Sequence, residues 1–230
     1  MAFSTIQGRR FNELITNQKL QQSSERFLNG KELSWELQRG AILLDIRQPR
    51  QFASGHLAGS LNIAFYPDGF ARQVSSFTST GRPLVLVCET SLERLAAAFS
   101  LMQAGFNVIG YTELNFSTTL ETFPQLTVRQ LWQEISQGKL QQIMTVVDVR
   151  SQAEWEEYHI EGSIHLPYLE VPRRWQELES RRELTVVAAK RYHSLTVLSF
   201  LRQNGFGLVY EVPAGMPGWA RSGLPIRRGK

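Results

Sequence analysis

The chain repeats itself at a fixed spacing, and this repeat constrains the fold more than any other feature. The segment LLDIRQPRQFASGHLAGSLNI (43–63) matches VVDVRSQAEWEEYHIEGSIHL (146–166) without a gap. Matched residues stand 103 positions apart, as Asp45 does from Asp148 and His56 from His159. Because internal repeats mark units of similar structure, the 230 residues predict two small modules rather than one large domain.

A second pair of segments, 83–106 and 184–206, follows one common plan. Each has a short apolar run, a polar loop, a helix-periodic stretch and a Gly-Phe pair. The runs LVLV and LTVVAA are typical of buried parallel strands, and Gly105 and Gly205 stand where a helix often ends. Strands that alternate with helices predict an α/β fold of two modules, each a mostly parallel five-stranded sheet flanked by helices.

The module boundaries follow from the repeat and from residues that end or begin a helix. Residues 1–25 are polar and have no counterpart in the second half, so we predict an N-terminal extension there. The first module is expected at 26–123 and the second at 124–230. Pro124 stops a helix, and Thr127 is a predicted N-cap for the helix VRQLWQEISQG.

Composition excludes several classes of function. The net charge is +4, and the basic residues form no stripe interleaved with aromatic residues, so no nucleic-acid partner is expected. No segment reaches the ~20 apolar residues of a membrane span, and the N-terminus lacks a signal-peptide pattern, so we expect a cytoplasmic location and no membrane. Cys88 is the single cysteine, which excludes an intramolecular disulfide and a thiolate metal cluster. The four histidines form no metal motif, so no metal or other cofactor is expected.

The repeated residues resemble those of rhodanese modules, which carry Asp-x-Arg at a strand end and then Gly-His-x-x-Gly-(Ser/Ala)-x-Asn-x-Pro. The first copy has Asp45, Arg47, Gly55, His56, Gly59, Ser60 and Asn62, with Ala64 in place of Pro. The second copy has Asp148, Arg150, His159, Gly162, Ser163 and Pro167, with Tyr158 and His165 as departures. Residues 214–226, AGMPGWARSGLPI, are similar to the family's closing motif. The tandem also resembles the rhodanese modules of bacterial persulfide dioxygenase fusions.

Six of these motif residues are interpreted as structural. Both modules keep them whether or not a cysteine follows, and satisfied buried polar groups commonly fix loops without taking part in chemistry. The six are Asp45, Arg47, His56, Asp148, Arg150 and His159.

Cys88 is the candidate nucleophile. It lies 17 residues before Gly105, between an apolar strand and a helix, in register with the family's cysteine. Peptide N–H groups at a helix N-terminus stabilise an anion, so a lowered pKa of this thiol is expected. The resemblance implies that Cys88 takes sulfane sulfur from a small donor as a persulfide and passes it to a thiol acceptor. The substrate-binding loop is then predicted to consist of Glu89, Thr90, Ser91, Leu92, Glu93 and Arg94.

The loop departs from the family pattern and leaves two alternatives open. Glu93 stands at the family's Arg position and Arg94 follows it, while Glu89 adds a further negative charge beside an anion site. One alternative is a catalytically inert binding or regulatory protein. The other is a phosphatase or arsenate reductase, because Cys88 to Arg94 is C-x5-R and resembles the loop of cell-cycle dual-specificity phosphatases.

The second module lacks a nucleophile. Ala188 stands 17 residues before Gly205, and a methyl group cannot carry sulfur. The loop nevertheless has a cationic pattern, which indicates either an eroded site or an anion-binding pocket. Its vestigial residues are Ala188, Lys190, Arg191, His193 and Ser194. The sequence therefore predicts a sulfurtransferase with a non-catalytic second module, and it leaves room for a protein partner.

Overall fold

The computed structural model describes residues 25–114 and 119–229. Nearly all of the predicted N-terminal extension, 1–25, lies outside these ranges. The chain divides between Leu120 and Glu121 into two compact units, each with its own sheet. The boundary that the sequence placed between residues 123 and 124 stays a prediction.

Four strands and four helices alternate in the described part of the first module. In chain order they are α1 (Gly30–Gln38), β1 (Ile42–Asp45), α2 (Pro49–Ser54), β2 (Leu61–Asn62), α3 (Phe70–Phe77), β3 (Leu84–Val87), α4 (Ser91–Gln103) and β4 (Val108–Thr112). All strand pairs are parallel, and the order across the sheet is β2-β1-β3-β4. Asp45 pairs with Val87, which in turn pairs with Thr112, so β1, β3 and β4 have their carboxyl ends at the same edge of the sheet.

The second module has the same plan. Its elements are α5 (Val128–Ser136), α6 (Lys139–Gln142), β5 (Met144–Asp148), α7 (Gln152–Glu157), β6 (Ile164–His165), α8 (Val171–Arg174), a 3-10 turn (Trp175–Glu177), β7 (Glu183–Val187), α9 (Arg191–Gln203), β8 (Val209–Glu211) and α10 (Gly215–Arg221). The strands are again parallel, in the order β6-β5-β7-β8. The predicted α/β class and the two similar modules are therefore confirmed.

The predicted count of five strands per sheet is wrong, because each sheet has four within the ranges that the structure describes. The segment before the first helix of each module does approach the last strand, but it forms only an isolated parallel bridge. Phe27 bridges to Tyr111 and Gln125 to Glu211. The helix cap follows two residues after each bridge, at Asn29 and at Thr127, so the chain turns away before a ladder can form.

The core of each module lies against its central strands. Strands β1 and β3 are buried along their whole length, as expected for parallel strands covered on both faces. In the first module an apolar cluster joins Leu28, Ala41, Leu43, Leu57, Val85 and Val87. In the second, a larger cluster joins Val128, Leu131, Met144, Val146, Ile160, Val187, Val212, Met216 and Trp219. Burial of these apolar side chains is the main stabilising contribution to each unit.

The predicted helix boundaries are confirmed at three positions. Thr127 caps α5 by accepting a hydrogen bond from the Gln130 amide, and the Gln130 side chain accepts one from the Thr127 amide. Gly105 and Gly205 follow the ends of α4 and α9 with φ of 85° and 89°. Only glycine adopts this left-handed conformation without strain, which explains the Gly-Phe stop in both modules.

Candidate active site

Cys88 lies at the carboxyl edge of the first sheet, directly after β3. Only Glu89 and Thr90 separate it from the first residue of α4. In open parallel sheets, ligands bind outside the carboxyl ends of the strands, so this position suits a reactive group. The side chain is largely buried, however, with 8% of the residue exposed. A donor must therefore react with a sulfur that presents little surface to solvent.

The predicted loop residues surround the sulfur unequally. Thr90 is the N-cap of α4: its hydroxyl accepts from the Glu93 amide, and its carbonyl accepts from the Arg94 amide. Helix geometry leaves the preceding amides of Ser91 and Leu92 without intrahelical partners. Glu89, Thr90, Ser91 and Leu92 are all exposed, whereas Glu93 and Arg94 are half-buried. A short turn, rather than a deep cradle, therefore presents the amide groups.

Arg94 is the positive charge that acts on Cys88. Its guanidinium carbon lies 3.8 Å from the centre of the Tyr111 ring, in cation–π geometry. Its Nε atom is buried and has no hydrogen-bond partner within the described ranges. Tyr111 is fixed in turn by an edge contact with Phe27, at 5.6 Å between ring centres. The aromatic support thus leaves one guanidinium donor available close to the sulfur.

The expected lowering of the Cys88 pKa is not what the structure shows. Burial raises the pKa of the thiol to about 11, and this effect outweighs the opposing influence of Arg94. Glu113 and Glu93 raise the pKa further through their negative charges. The sequence argument considered the helix N-terminus but could not see how deeply the sulfur is buried. The resting thiol is protonated at neutral pH.

The Asp-Arg pairs are buried ion pairs with nearly the same geometry in both modules. The Nη2 to Oδ2 distance is 2.6 Å for Arg47 with Asp45 and again 2.6 Å for Arg150 with Asp148. The Asp45 carboxylate also accepts from the Arg47 amide, and the Asp148 carboxylate from that of Arg150. These contacts close the turn after the first strand of each module.

The motif histidines support the same turns. His56 stacks on Phe52 with 4.0 Å between ring centres, and His159 stacks on Trp155 at 3.9 Å. The Nδ1 atom of each lies within 3.1 Å of the carbonyl of its stacking partner. These contacts join each histidine to the turn that it shapes.

The His165 departure has a clear local explanation. In the first module, the Asn62 amide donates to the Asp45 and Arg47 carbonyls. In the second, His165 Nε2 lies 3.0 Å from the Arg150 carbonyl and serves the equivalent position. The two residue types therefore satisfy the same backbone group.

The second loop is less cationic than the sequence predicted. Arg191 forms an ion pair with the fully buried Glu211, at 2.6 Å between Nε and Oε1. Burial lowers the pKa of His193 to about 4, and the charge of Lys190 lowers it further. His193 is therefore neutral at pH 7, and its ring contacts Tyr168 and Tyr192.

The backbone around Ala188 is also closely packed. The Ala188 carbonyl accepts from the Met216 amide at 3.0 Å. A side chain added at Gly215 would place its Cβ 2.2 Å from that carbonyl oxygen, and φ there is 52°. Ser194, the counterpart of the family's serine, donates to the Arg191 carbonyl inside α9. The remaining predicted loop cation is Lys190, whose ammonium nitrogen lies 5.9 Å from the centre of the Tyr192 ring.

Sequence reasoning missed the residues that the last strand of each sheet contributes. Tyr111 and Glu113 stand beside the Cys88 turn because β4 pairs with β3, with Thr112 level with Val87. Glu211 in β8 occupies the same place as Tyr111 in β4. Tyr111 pairs with the residue two positions before Cys88, and Glu211 pairs with the residue two positions before Ala188. An alignment of the two modules extended through the last strand would have identified this pair.

Two kinds of feature are absent from the described residues. No helix within 25–114 and 119–229 is long and apolar enough to cross a membrane. No three His, Cys, Asp or Glu side chains in these ranges group so as to hold a metal ion.

Comparison with known families gives two matches in this chain. The profile described as "Rhodanese-like domain" matches residues 29–113 and 127–222. The two matches correspond to the two sheets and together span more than half of the chain.

The curated relatives and several of the solved structures match about one module. The thiosulfate sulfurtransferase GlpE of Actinobacillus pleuropneumoniae is 30% identical over 106 residues, which are 46% of this chain and 94% of that protein. A sulfurtransferase of Allochromatium vinosum is 32% identical over 81 residues, 35% of this chain and 76% of the relative. The rhodanese-like domain of an Anabaena protein aligns with 27% identity and a TM-score of 0.42, over 46% of this chain and 79% of its own. The resemblance to persulfide dioxygenase fusions is not confirmed by these proteins.

Proposed function

The chain belongs to the rhodanese family, and on that basis we propose that its first module is a sulfurtransferase that carries sulfane sulfur as a persulfide on Cys88. One observation carries this proposal: the single thiol of the chain lies at the carboxyl edge of its sheet, beside an arginine whose Nε–H has no hydrogen-bond partner among the described residues. That donor is suited to hold an added, negatively charged sulfur atom.

The transfer is a nucleophilic displacement on sulfur. The Cys88 thiolate attacks the outer sulfur of a donor, a bond between the two sulfurs forms, and the donor's own sulfur bond breaks. The donor remainder leaves with the bonding electron pair, as sulfite from thiosulfate or as a thiol from an alkyl persulfide. A thiol acceptor then removes the outer sulfur by the same step in reverse. Arg94 and the amides of Ser91 and Leu92 stabilise the Cys88 persulfide anion.

The protonated resting state sets the pH dependence of this step. With a pKa of about 11, only about one Cys88 side chain in ten thousand is a thiolate at pH 7. The rate of sulfur uptake should therefore rise with pH throughout the neutral and mildly alkaline range. A free thiol persists in a reducing compartment, so a cytoplasmic location is part of the proposal.

The second module takes no direct part in the chemistry under this proposal. Its loop presents a methyl group at Ala188, and Arg191 is committed to Glu211. Sulfur transfer therefore depends on the first module. Partners of the whole protein are a small sulfur donor and a thiol acceptor.

A second function is favoured by the same burial that slows the chemistry. A protonated thiol that is 8% exposed suits an inert module that binds a partner without transferring sulfur. This binding hypothesis predicts that Cys88→Ser leaves the protein's cellular behaviour unchanged. The C-x5-R alternative has less support, because a phosphate or arsenate dianion would meet Glu89, Glu93 and Glu113 beside a single arginine.

The deciding experiment is intact-protein mass spectrometry. The protein is incubated with thiosulfate, mercaptopyruvate or polysulfide at several pH values from about 7 to about 10. This range brackets the ordinary pKa of a thiol. We expect one added sulfur atom on Cys88, more at higher pH, and none in Cys88→Ser. Absence of added sulfur with every donor at every pH would reject the sulfurtransferase and leave the binding protein.

A further inference from the structure

Three carboxylates from different segments of the chain lie around the Cys88 turn. Glu89 follows the sulfur directly in sequence. Glu93 lies in the first turn of α4, where its carboxylate accepts from the Thr90 hydroxyl at 3.2 Å. Glu113 follows β4, whose last residue pairs with the residue before Cys88, so it lies beside the sulfur at the sheet edge. Exposed or half-buried, all three can act on a ligand that approaches from solvent.

The positive charge at this turn is much smaller. Arg94 is the one cation among the main electrostatic influences on Cys88, whereas Glu93 and Glu113 oppose it. The negative charge of Glu89 likewise contributes to raising the pKa of the buried Asp45, at the end of the neighbouring strand. Arg94 is also held on the Tyr111 ring, which limits its movement toward a ligand. The mouth of the site therefore carries an excess of negative charge.

From this arrangement we infer the donor class: the first module takes sulfur from an alkyl persulfide whose carrier is neutral or cationic, and it discriminates against dianionic thiosulfate. The inference rests on the proposed function and specifies its substrate. Thiosulfate would bring two negative charges to a turn that already carries the Glu89 and Glu93 carboxylates and has Glu113 beside it, and like charges repel. Leu92, which is 58% exposed at the start of α4, offers the carrier an apolar contact.

An alkyl persulfide also fits the protonated thiol. The persulfide anion RSS⁻ takes up the proton of Cys88, and the thiolate attacks the outer sulfur of RSSH. The S–S bond of the donor breaks, and the leaving RS⁻ takes the proton from the transferred sulfur. The products are RSH and a Cys88 persulfide anion, so atoms, electrons and charge balance without a further reactant. The single negative charge that remains is the one that Arg94 is placed to hold.

The test is a ladder of donors that differ in charge. The probes are 2-aminoethyl, 2-hydroxyethyl and 2-carboxyethyl persulfides, prepared from their disulfides and sulfide, and thiosulfate. The rate of sulfur addition to Cys88 is measured by mass spectrometry at low salt, relative to the same chain unfolded in urea. We expect the relative rate to fall from the aminoethyl to the carboxyethyl donor by about tenfold or more, with thiosulfate at the slow end. Added salt should reduce the differences in relative rate between the donors, because it screens the charges.

Matched variants separate charge from shape. Glu89→Gln and Glu113→Gln should each raise the relative thiosulfate rate by about three- to tenfold, whereas Glu89→Asp and Glu113→Asp, which keep the charge, should not. If thiosulfate reacts as fast as the aminoethyl donor, the donor class is wrong and the sulfurtransferase stands. If no donor adds sulfur to folded Cys88 while the unfolded chain reacts, both proposals are rejected.

Discussion

Single residues that are charged and buried in this protein are held by a partner of opposite charge. Asp148 is fully buried, and its carboxylate accepts three hydrogen bonds from the side chain of Arg150 and one from its amide. The other guanidinium contacts go to the Glu154 and Tyr158 carbonyls. An ion pair satisfied in this way contributes little over an apolar pair, but removal of one partner leaves a buried charge unpaired.

Asp148→Asn is therefore expected to destabilise the second module by about 3–5 kcal/mol, since Arg150 would remain buried without its counter-charge. Urea unfolding measures the change. The matched control is Glu179→Gln, which removes a surface pair with Arg182 whose carboxylate side is 69% exposed. That control should cost less than about 1 kcal/mol. Equal costs would show that burial of the Asp148 pair is unimportant.

Cys88 gives a pH-dependent contribution to stability with a definite sign. Burial raises the pKa of its thiol from 9.0 to about 11 in the folded chain. The folded state therefore holds the proton more tightly than the unfolded state does. The contribution is complete below pH 9 and is lost as the pH rises through the folded pKa.

The free energy of unfolding should thus fall more steeply between pH 9 and pH 11 in the natural protein than in Cys88→Ser. The difference is about 2 kcal/mol, set by the size of the shift. Urea titrations at several pH values give the free energy of unfolding against pH for both proteins. The difference between them removes the contribution of the tyrosines and lysines that titrate in the same range. Parallel curves would show that the thiol is not buried in the folded state.

Among the secondary-structure elements, the helices that follow the central strands begin differently in the two modules. Thr90 caps α4 with its side chain, whereas Lys190 at the start of α9 makes no side-chain cap bond. The apolar faces differ too. In α9 the leucines at helical spacing, Leu195, Leu198 and Leu201, are fully buried, whereas in α4 the buried residues include Ala97 and Ala98. The larger side chains at helical spacing in α4, Leu95, Phe99 and Met102, are half-buried.

Thr90→Ala should destabilise the first module by about 1 kcal/mol, because the Glu93 amide loses its acceptor at the N-terminus of α4. Urea unfolding again provides the measurement. Lys190→Thr is the comparison in the second module, where a threonine can add the missing cap and should raise stability. A loss at Lys190→Thr comparable to that at Thr90→Ala would contradict this account of capping.

Across the protein as a whole, one architecture is present twice but the chemistry is proposed for one copy. Both sheets have the same strand order, the same ion pair and the same stacked histidine. They differ where the third strand meets its helix. There the first module has a thiol beside an arginine supported by Tyr111, and the second has a methyl group beside an arginine bound to Glu211.

This difference predicts that a thiol alone does not restore function. The double variant Cys88→Ser/Ala188→Cys should take up sulfur at least about tenfold more slowly than the natural protein, because Ser194 stands where the first module has Arg94. Mass spectrometry with a persulfide donor measures the rate, with Cys88→Ser as the blank. Uptake at the natural rate would show that Arg94 and its surroundings are dispensable.

Residue type and spacing were enough to predict the two-module α/β plan, the helix ends at Gly105 and Gly205, the cap at Thr127 and the position of Cys88 after β3. These features are local or repeated, so a linear pattern specifies them. Four other features emerged from long-range packing: the described part of each sheet has four strands, Tyr111 holds Arg94, Glu113 stands beside the sulfur, and burial raises the pKa of the thiol. Each depends on segments far apart in sequence that meet through strand pairing, and a linear pattern contains neither that register nor the depth of a side chain.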